Sequence, residues 1–326
     1  MLDQYGRKID YIRIAVTDRC NLRCRYCMPE EGIEQIGCKD ILSYEEILRL
    51  CRLFVQLGIT KIKLTGGEPL VRLGFCNLVR EIKHLDGIEQ VTITTNGVLL
   101  EKMAEPLIAA GVNGINVSLD TLQENAFAEI TRRNELASVL AGINQLLLLN
   151  YTNIKINCVA MEEINGDQIL ALAQLAKTEA IAVRFIELMP IGFGTKYTSI
   201  PSDELMKRLQ AAYGKLVPCK TKVGNGPARY FTLPGFKGKI GFIAALQHKF
   251  CQECNRVRLT ANGFLKLCLQ YNNGIDLKSI LRSNVSDEAL KKVIEKSIYQ
   301  KPQEHHFSEA DPDGTQDGRR MFQIGG

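Results

Sequence analysis

Short apolar runs, β-branched and bounded by turn residues, recur along the first two-thirds of the chain: Tyr11–Val16, Lys61–Thr65, Val91–Thr95, Gly114–Leu119, Ile154–Ala160 and Ala182–Leu188. They predict strands. Between them, amphipathic stretches at Phe75–Leu85, Lys102–Ala110, Glu124–Arg132, Ala137–Leu148, Asp167–Lys177 and Asp203–Tyr213 predict helices. One helix announces its own start. Ser43-Tyr-Glu-Glu46 has the form of a capping box, and Ile47, Leu50, Cys51, Phe54 and Val55 follow at helical spacing. Six βα repeats imply parallel strands joined by right-handed crossovers. The pattern alone does not separate an open doubly wound sheet from an incomplete barrel.

From about Leu216 the pattern changes. Pro218, Gly224, Gly226, Pro227, Pro234, Gly235, Gly238 and Gly241 punctuate short extended runs such as Tyr230–Leu233, predicting hairpins in a separate C-terminal module. Short helices near Asp276–Leu281 and Asp287–Ser297 precede a polar tail that ends Gly325-Gly326.

The C-terminal ends of the predicted strands are polar or glycine-rich: Thr65-Gly66-Gly67-Glu68-Pro69, Thr94-Thr95-Asn96-Gly97, Ser118-Leu119-Asp120 and Glu187-Leu188-Met189-Pro190. In parallel α/β architectures that edge carries ligands and chemistry. Turn formation alone accounts for any one of these groups. Several at one edge, after a cysteine loop that follows the first strand, place the site there.

Composition narrows the class. The 326 residues are 45% hydrophobic and 24% charged, as in a globular protein with a sizeable core. A formal charge of +5, from 41 basic and 36 acidic residues, is too small and dispersed to indicate nucleic acid, but leaves room for a local anion site. No apolar run reaches bilayer length, and the first residues lack the apolar core of a secretory signal, so the expected location is cytoplasmic. Eleven cysteines in a reducing compartment point to metal ligation rather than to disulfides.

Two cysteine groups stand out. Cys20, Cys24 and Cys27 have C-x3-C-x2-C spacing, with Tyr26 just before the third thiol. Three thiolates on a cubane iron–sulfur cluster leave one iron open to a small molecule. A zinc knuckle or three packed thiols would be the plain alternatives, with Cys38 the next thiol along the chain. The second group is Cys251, Cys254 and Cys268, again three ligands, in FCQECNRVRLTANGFLKLC. Cys219 or His248 could complete a zinc site there; the sharper possibility is a second cluster with an open iron. Arg256 and Arg258 alternate along an extended segment and so share a face, suited to an anion or a base edge. Cys38, Cys51, Cys76 and Cys158 lie in or beside apolar segments and are expected to be packed thiols.

The first cysteine motif resembles the signature of the radical S-adenosylmethionine (SAM) superfamily. Together with FCQECNRVRLTANGFLKLC, TGGEPLVR, ITTNG, NVSLD, FIELMPIG and the closing Gly-Gly, it resembles the GTP 3′,8-cyclases of molybdenum-cofactor biosynthesis, from about Tyr11 to the last residue. The expected fold is α/β: an incomplete, six-repeat TIM-type βα barrel (residues 1–215) with a smaller module of hairpins and short helices (216–326). The resemblance implies two 4Fe–4S clusters, on Cys20, Cys24 and Cys27 and on Cys251, Cys254 and Cys268, with SAM on the open iron of the first. Tyr26, Gly67, Ser118 and Met189 match positions that touch SAM. Gly66 and Gly67 would let backbone approach the ligand closely.

The resemblance further implies that a SAM-derived 5′-deoxyadenosyl radical takes hydrogen from ribose C3′ of GTP, and that C3′ then bonds to guanine C8. Arg13, Thr94, Lys155, Arg256, Val257 and Arg258 match its GTP positions. Lys61, Lys63 and Arg184 would suit the triphosphate. Lys63 departs from the family, where arginine is expected. Arg319 or Arg320 would assist catalysis from a tail reaching into the site. Implied partners are GTP, a reducing electron donor, the cyclic pyranopterin monophosphate synthase that takes the product, and a second copy in a homodimer; nucleic acid and membrane are not expected. A different radical SAM enzyme with an auxiliary cluster, or a zinc-stabilised binding protein without catalysis, are the rival classes.

Overall fold

The computed structural model describes residues 1–33, 37, 39–220, 223–307 and 317–325. The six predicted strands form where expected: β1 (Tyr11–Ala15), β2 (Lys61–Thr65), β3 (Gln90–Thr95), β4 (Gly114–Ser118), β5 (Ile154–Ala160) and β6 (Ala182–Glu187). The C-terminal third adds β7 (Val217–Pro218), β8 (Arg229–Thr232), β9 (Lys239–Ile243), β10 (Arg256–Leu259), β11 (Phe264–Lys266) and β12 (Gly274–Asp276). All twelve belong to one sheet, in the order β12-β11-β10-β1-β2-β3-β4-β5-β6-β9-β8-β7.

This order corrects two expectations. The parallel part is not confined to the six repeats, because β10 pairs parallel with β1 and β9 pairs parallel with β6. The hairpins expected after residue 216 are present, but they continue the sheet at both edges instead of standing apart. The two ends of the order, β12 and β7, are not paired with each other, so the sheet stays open. It nevertheless curls. Side chains from β10 at one side to β9 at the other line a single cavity, which only a strongly curved sheet allows.

The strands have an inverted alternation. Ile12, Ile14, Ile62, Leu64, Ile93, Ile115, Val117, Ile156 and Val183 are fully or almost fully buried in the hydrophobic core, on the face covered by helices. Their neighbours Arg13, Lys63, Thr94, Asn116, Ser118, Lys155 and Arg184 line the cavity on the other face. A period of two thus divides each strand between an apolar core and a polar interior. The helix Tyr44–Gln56 begins at the predicted box: the Glu46 amide donates to Ser43 Oγ at 3.2 Å, and the Ser43 amide to Glu46 Oε2 at 2.7 Å. Its Ile47, Leu50, Cys51, Leu53 and Phe54 are buried, and Cys51 and Cys158 are core thiols as expected. Cys76 is half-buried, and Cys38 lies outside the described residues.

Candidate active site

Two thiol groups sit at opposite ends of the curved sheet and share one cavity of about 370 Å³. Cys20, Cys24 and Cys27 follow β1, at the C-terminal edge of the parallel strands. Cys251 and Cys254 precede β10, whose parallel partner is β1, and Cys268 follows β11, which runs antiparallel to β10. The second group therefore lies at the N-terminal edge. β1 is five residues long, so the two edges are separated by roughly 16 Å.

The upper group is held by the neighbouring strand ends. Tyr26 Oη donates to Asp120 Oδ2 at 2.6 Å, tying the cysteine loop to the chain just beyond β4. Burial pushes the Asp120 carboxyl up to about 6, against the hydrogen bonds from Tyr26 and the Val159 amide. Glu68, 1% exposed, accepts from the Thr95 hydroxyl, the Asn96 amide and the Leu70 amide, and so joins the ends of β2 and β3. Asn96 Nδ2 then reaches Asn21 Oδ1 at 2.7 Å and Cys20 Sγ at 3.7 Å. Gly66 and Gly67 line the cavity, and they also meet a demand within the chain itself. A Cβ on Gly67 would run into the Asp18 and Arg19 carbonyls, and one on Gly66 into that of Thr17. Glycine is needed there so that the chain can pass its own cysteine loop.

Burial raises thiols in both groups, Cys251 of the lower one included, but the charges around the two groups differ. In the upper one burial pushes Cys20 up to about 11 and Cys27 to about 12, with Glu68 adding to the first and Cys20 to the second. Cys24 rises well above the usual thiol value through burial and its two partner thiols. In the lower one burial alone would raise Cys254, but Lys301, Arg256, the Arg256 amide and Arg7 outweigh it and hold the thiol at about 7. Neither Cys219 nor His248, the candidates for closing a zinc site, lines the cavity. Among the described residues no three His, Cys, Asp or Glu side chains are gathered tightly enough for one metal ion. Thiolates on a single tetrahedral zinc would stand only about 3.8 Å apart. A cluster takes its ligands at separate corners, and the mutual repulsion recorded within each thiol group fits that looser gathering.

Between the thiol groups lies a band of positive charge. Arg13 is in register with Arg258 on β10 and with Lys63 on β2, so three cations form one row across three strands. Lys155, Arg184 and Arg256 join them on the cavity wall, where Asp120 is the only carboxylate among the described residues. Burial, and then Arg184, Arg13, Lys155 and Arg256, hold Lys63 well below the ordinary ammonium value. Burial and Arg184 bring Lys155 to about 8. Nε of Arg184 and Nε of Arg256 are buried without a hydrogen-bond partner among the described residues. Uncompensated buried cations are costly. A polyanion with several acceptor oxygens would relieve that cost.

Some expected residues lie elsewhere. Lys61 shares a face with Lys63 but ends in an ion pair with Asp10 at 2.8 Å and does not line the cavity. Val257 turns its side chain into the core, 1% exposed, because its neighbours Arg256 and Arg258 take the cavity face. Arg319 lies over the Phe264 ring and pairs with Asp317, and Arg320 lies over Phe193. Neither arginine lines the cavity; Met321 and Phe322 do. The tail does arrive: Arg258 Nη1 donates to the Gly325 carbonyl at 2.8 Å, and the Phe322 amide bonds Cys27. Gly326 lies outside the described residues. Ser118, Met189 and Thr94 line the cavity as expected. Sequence reasoning missed Glu68, Asp120, Lys301, His305 and the loop Gly224–Pro227, all but Glu68 being part of the cavity wall. The polar strand ends signalled the two carboxylates, and Gly224, Gly226 and Pro227 marked their loop only as a turn, whereas nothing local marks Lys301 or His305.

Comparison with known proteins agrees with this arrangement. Residues 14–176 match the Radical SAM superfamily and residues 181–307 match Molybdenum Cofactor Synthesis C. A GTP 3′,8-cyclase of Clostridium perfringens (strain SM101 / Type A) is 45% identical over 326 residues, covering all of both chains. This chain belongs to the GTP 3′,8-cyclase family. A family member from Moorella thermoacetica is 44% identical over the full length of both chains, and one from Thermodesulfovibrio yellowstonii is 46% identical over 93% of this chain and 95% of its own. The crystal structure of Streptococcus suis SuiB bound to S-adenosylmethionine shares the fold, with a TM-score of 0.59 at 16% identity, over 90% of this chain and 68% of that one. The chain is thus also a member of the radical SAM superfamily, which depends on SAM and an iron–sulfur cluster. No helix among the described residues is long and apolar enough to cross a membrane.

Proposed function

We propose that the chain is a GTP 3′,8-cyclase that carries two 4Fe–4S clusters and binds GTP between them. The observation that carries this is the cation band between two three-thiol groups on one cavity, whose wall holds a single carboxylate, Asp120, among the described residues. When bound, the upper cluster and SAM together supply the one-electron chemistry that removes hydrogen from an unactivated carbon.

The chain's own residues do the rest. Tyr26, Gly67, Ser118 and Met189 lie at the upper end and would hold SAM. Arg13, Lys63, Lys155, Arg184, Arg256 and Arg258 would hold GTP, their charges matched to a triphosphate, with Thr94 adding a hydroxyl. Cys20, Cys24 and Cys27 would hold the upper cluster, and Cys251, Cys254 and Cys268 the lower. The strand walls, with Met321 and Phe322 of the tail, line the space between them and would limit the access of water. Family membership extends the proposal to a cytoplasmic location, a reducing donor, delivery of product to a cyclic pyranopterin monophosphate synthase, and a homodimer.

The test is anaerobic incubation of the reconstituted protein with GTP, SAM and a reductant. A 3′,8-cyclised nucleotide with equimolar 5′-deoxyadenosine is expected. A sample loaded with both clusters that leaves GTP unchanged would sink the proposal.

A further inference from the structure

Lys301 is a buried cation that the proposed chemistry does not use. It is 3% exposed and lines the cavity at its lower end. Its ammonium donates to the Leu267 carbonyl, immediately before Cys268. No carboxylate reaches it among the described residues, whereas the nearby buried Arg7 is neutralised by Asp3 at 2.6 Å. The segment that carries Lys301 wraps the lower thiol group: the His305 amide bonds Cys251, and Arg7 ties the Gln303 and Pro302 carbonyls to that of Cys251. Holding a lysine this far from water, with no anion against it among the described residues, is costly. Something negative at the lower thiols must compensate it. Three thiolates on a cubane carry net negative charge, which grows by one on reduction. A fixed positive charge in a poorly screened site favours the more negative, reduced form, and charge of this kind helps to set cluster potentials. The upper thiols have Glu68 and Asp120 among their neighbours instead.

We infer that Lys301 is the fixed countercharge of the lower cluster and holds its reduction potential up, as a positioning residue outside the bond-making steps. This rests on the two-cluster proposal, and the two can fail separately. Iron and sulfide analysis of the wild type comes first: about four irons per chain instead of eight would defeat the two-cluster proposal itself.

With both clusters present, potentiometric titration followed by electron paramagnetic resonance compares the wild type with Lys301→Met and Lys301→Arg. In Lys301→Met the reduction equilibrium of the lower cluster should shift at least tenfold toward the oxidised form, a midpoint lower by about 59 mV, with the upper cluster unmoved. Lys301→Arg, which keeps the charge, should stay with the wild type. Loss of the lower cluster in the methionine variant but not in the arginine variant also supports the countercharge. An unchanged midpoint in a fully loaded Lys301→Met, or loss of the cluster in both variants, overturns it.

Discussion

At the scale of single residues, the crowding of like charges on the cavity wall makes ligand affinity a function of pH. Lys155 sits at about 8 because burial and Arg184 disfavour its charge. A bound triphosphate restores that charge, so the protein takes up a proton on binding. Through Lys155 the affinity for GTP should therefore fall as pH rises above about 8, because the free protein must then be protonated first. Lys155→Arg should flatten this dependence, and calorimetry in buffers of different ionisation enthalpy reads the proton directly. Lys63 gives a second test. It stands in register with Arg13, where an arginine would present a planar fork to phosphate. Lys63→Arg should tighten GTP by about 1 kcal/mol, roughly fivefold; unchanged or weaker binding would show that the lysine already makes the contact the site needs.

At the scale of elements, the bond from Tyr26 to Asp120 fastens the cysteine loop of β1 to the end of β4. Tyr26→Phe keeps the ring and loses the bond. It should cost about 1–2 kcal/mol in denaturant unfolding and speed iron loss to a chelator from the upper cluster, with the lower one unaffected. The strands themselves were legible because KIKLT, ITT and INVS are β-branched and sharply bounded. Their alternation also held the more useful message: the polar member of each pair, Lys63, Thr94, Asn116 or Ser118, faces the cavity. Lys61 and Val257 show where that period of two stops being sufficient. Lys61 has the right face but the wrong height, and Asp10 claims it. Val257 has the right height but the wrong face.

At the scale of the whole molecule, the C-terminal third is interleaved with the first two. No local pattern could show this, since strand pairing between Tyr11 and Arg256 is a property of topology, not of either segment. For the same reason Lys301 and His305 were invisible: their neighbours at the lower thiols lie far away along the chain. The tail is clamped by a fully buried ion pair between Lys266 of β11 and Asp317. Removing one partner strands the other charge, at a cost of about 3–5 kcal/mol. Lys266→Met should expose residues 317–325 to limited proteolysis while leaving the remainder intact. Deleting the last two residues removes the carbonyl that Arg258 holds; turnover should vanish with iron content unchanged.

The placement of β10 beside β1 also sets an order in time. A ribosome releases β1 early, yet one flank of that strand stays bare until the segment carrying Arg256 has been made. The lower thiols arrive only with that segment, and the tail later still. If both thiol groups take clusters as proposed, metal delivery to the two ends of the cavity is a task for the finished polypeptide, and a truncated translation product would offer iron–sulfur carriers one half-built seat and an unguarded sheet edge.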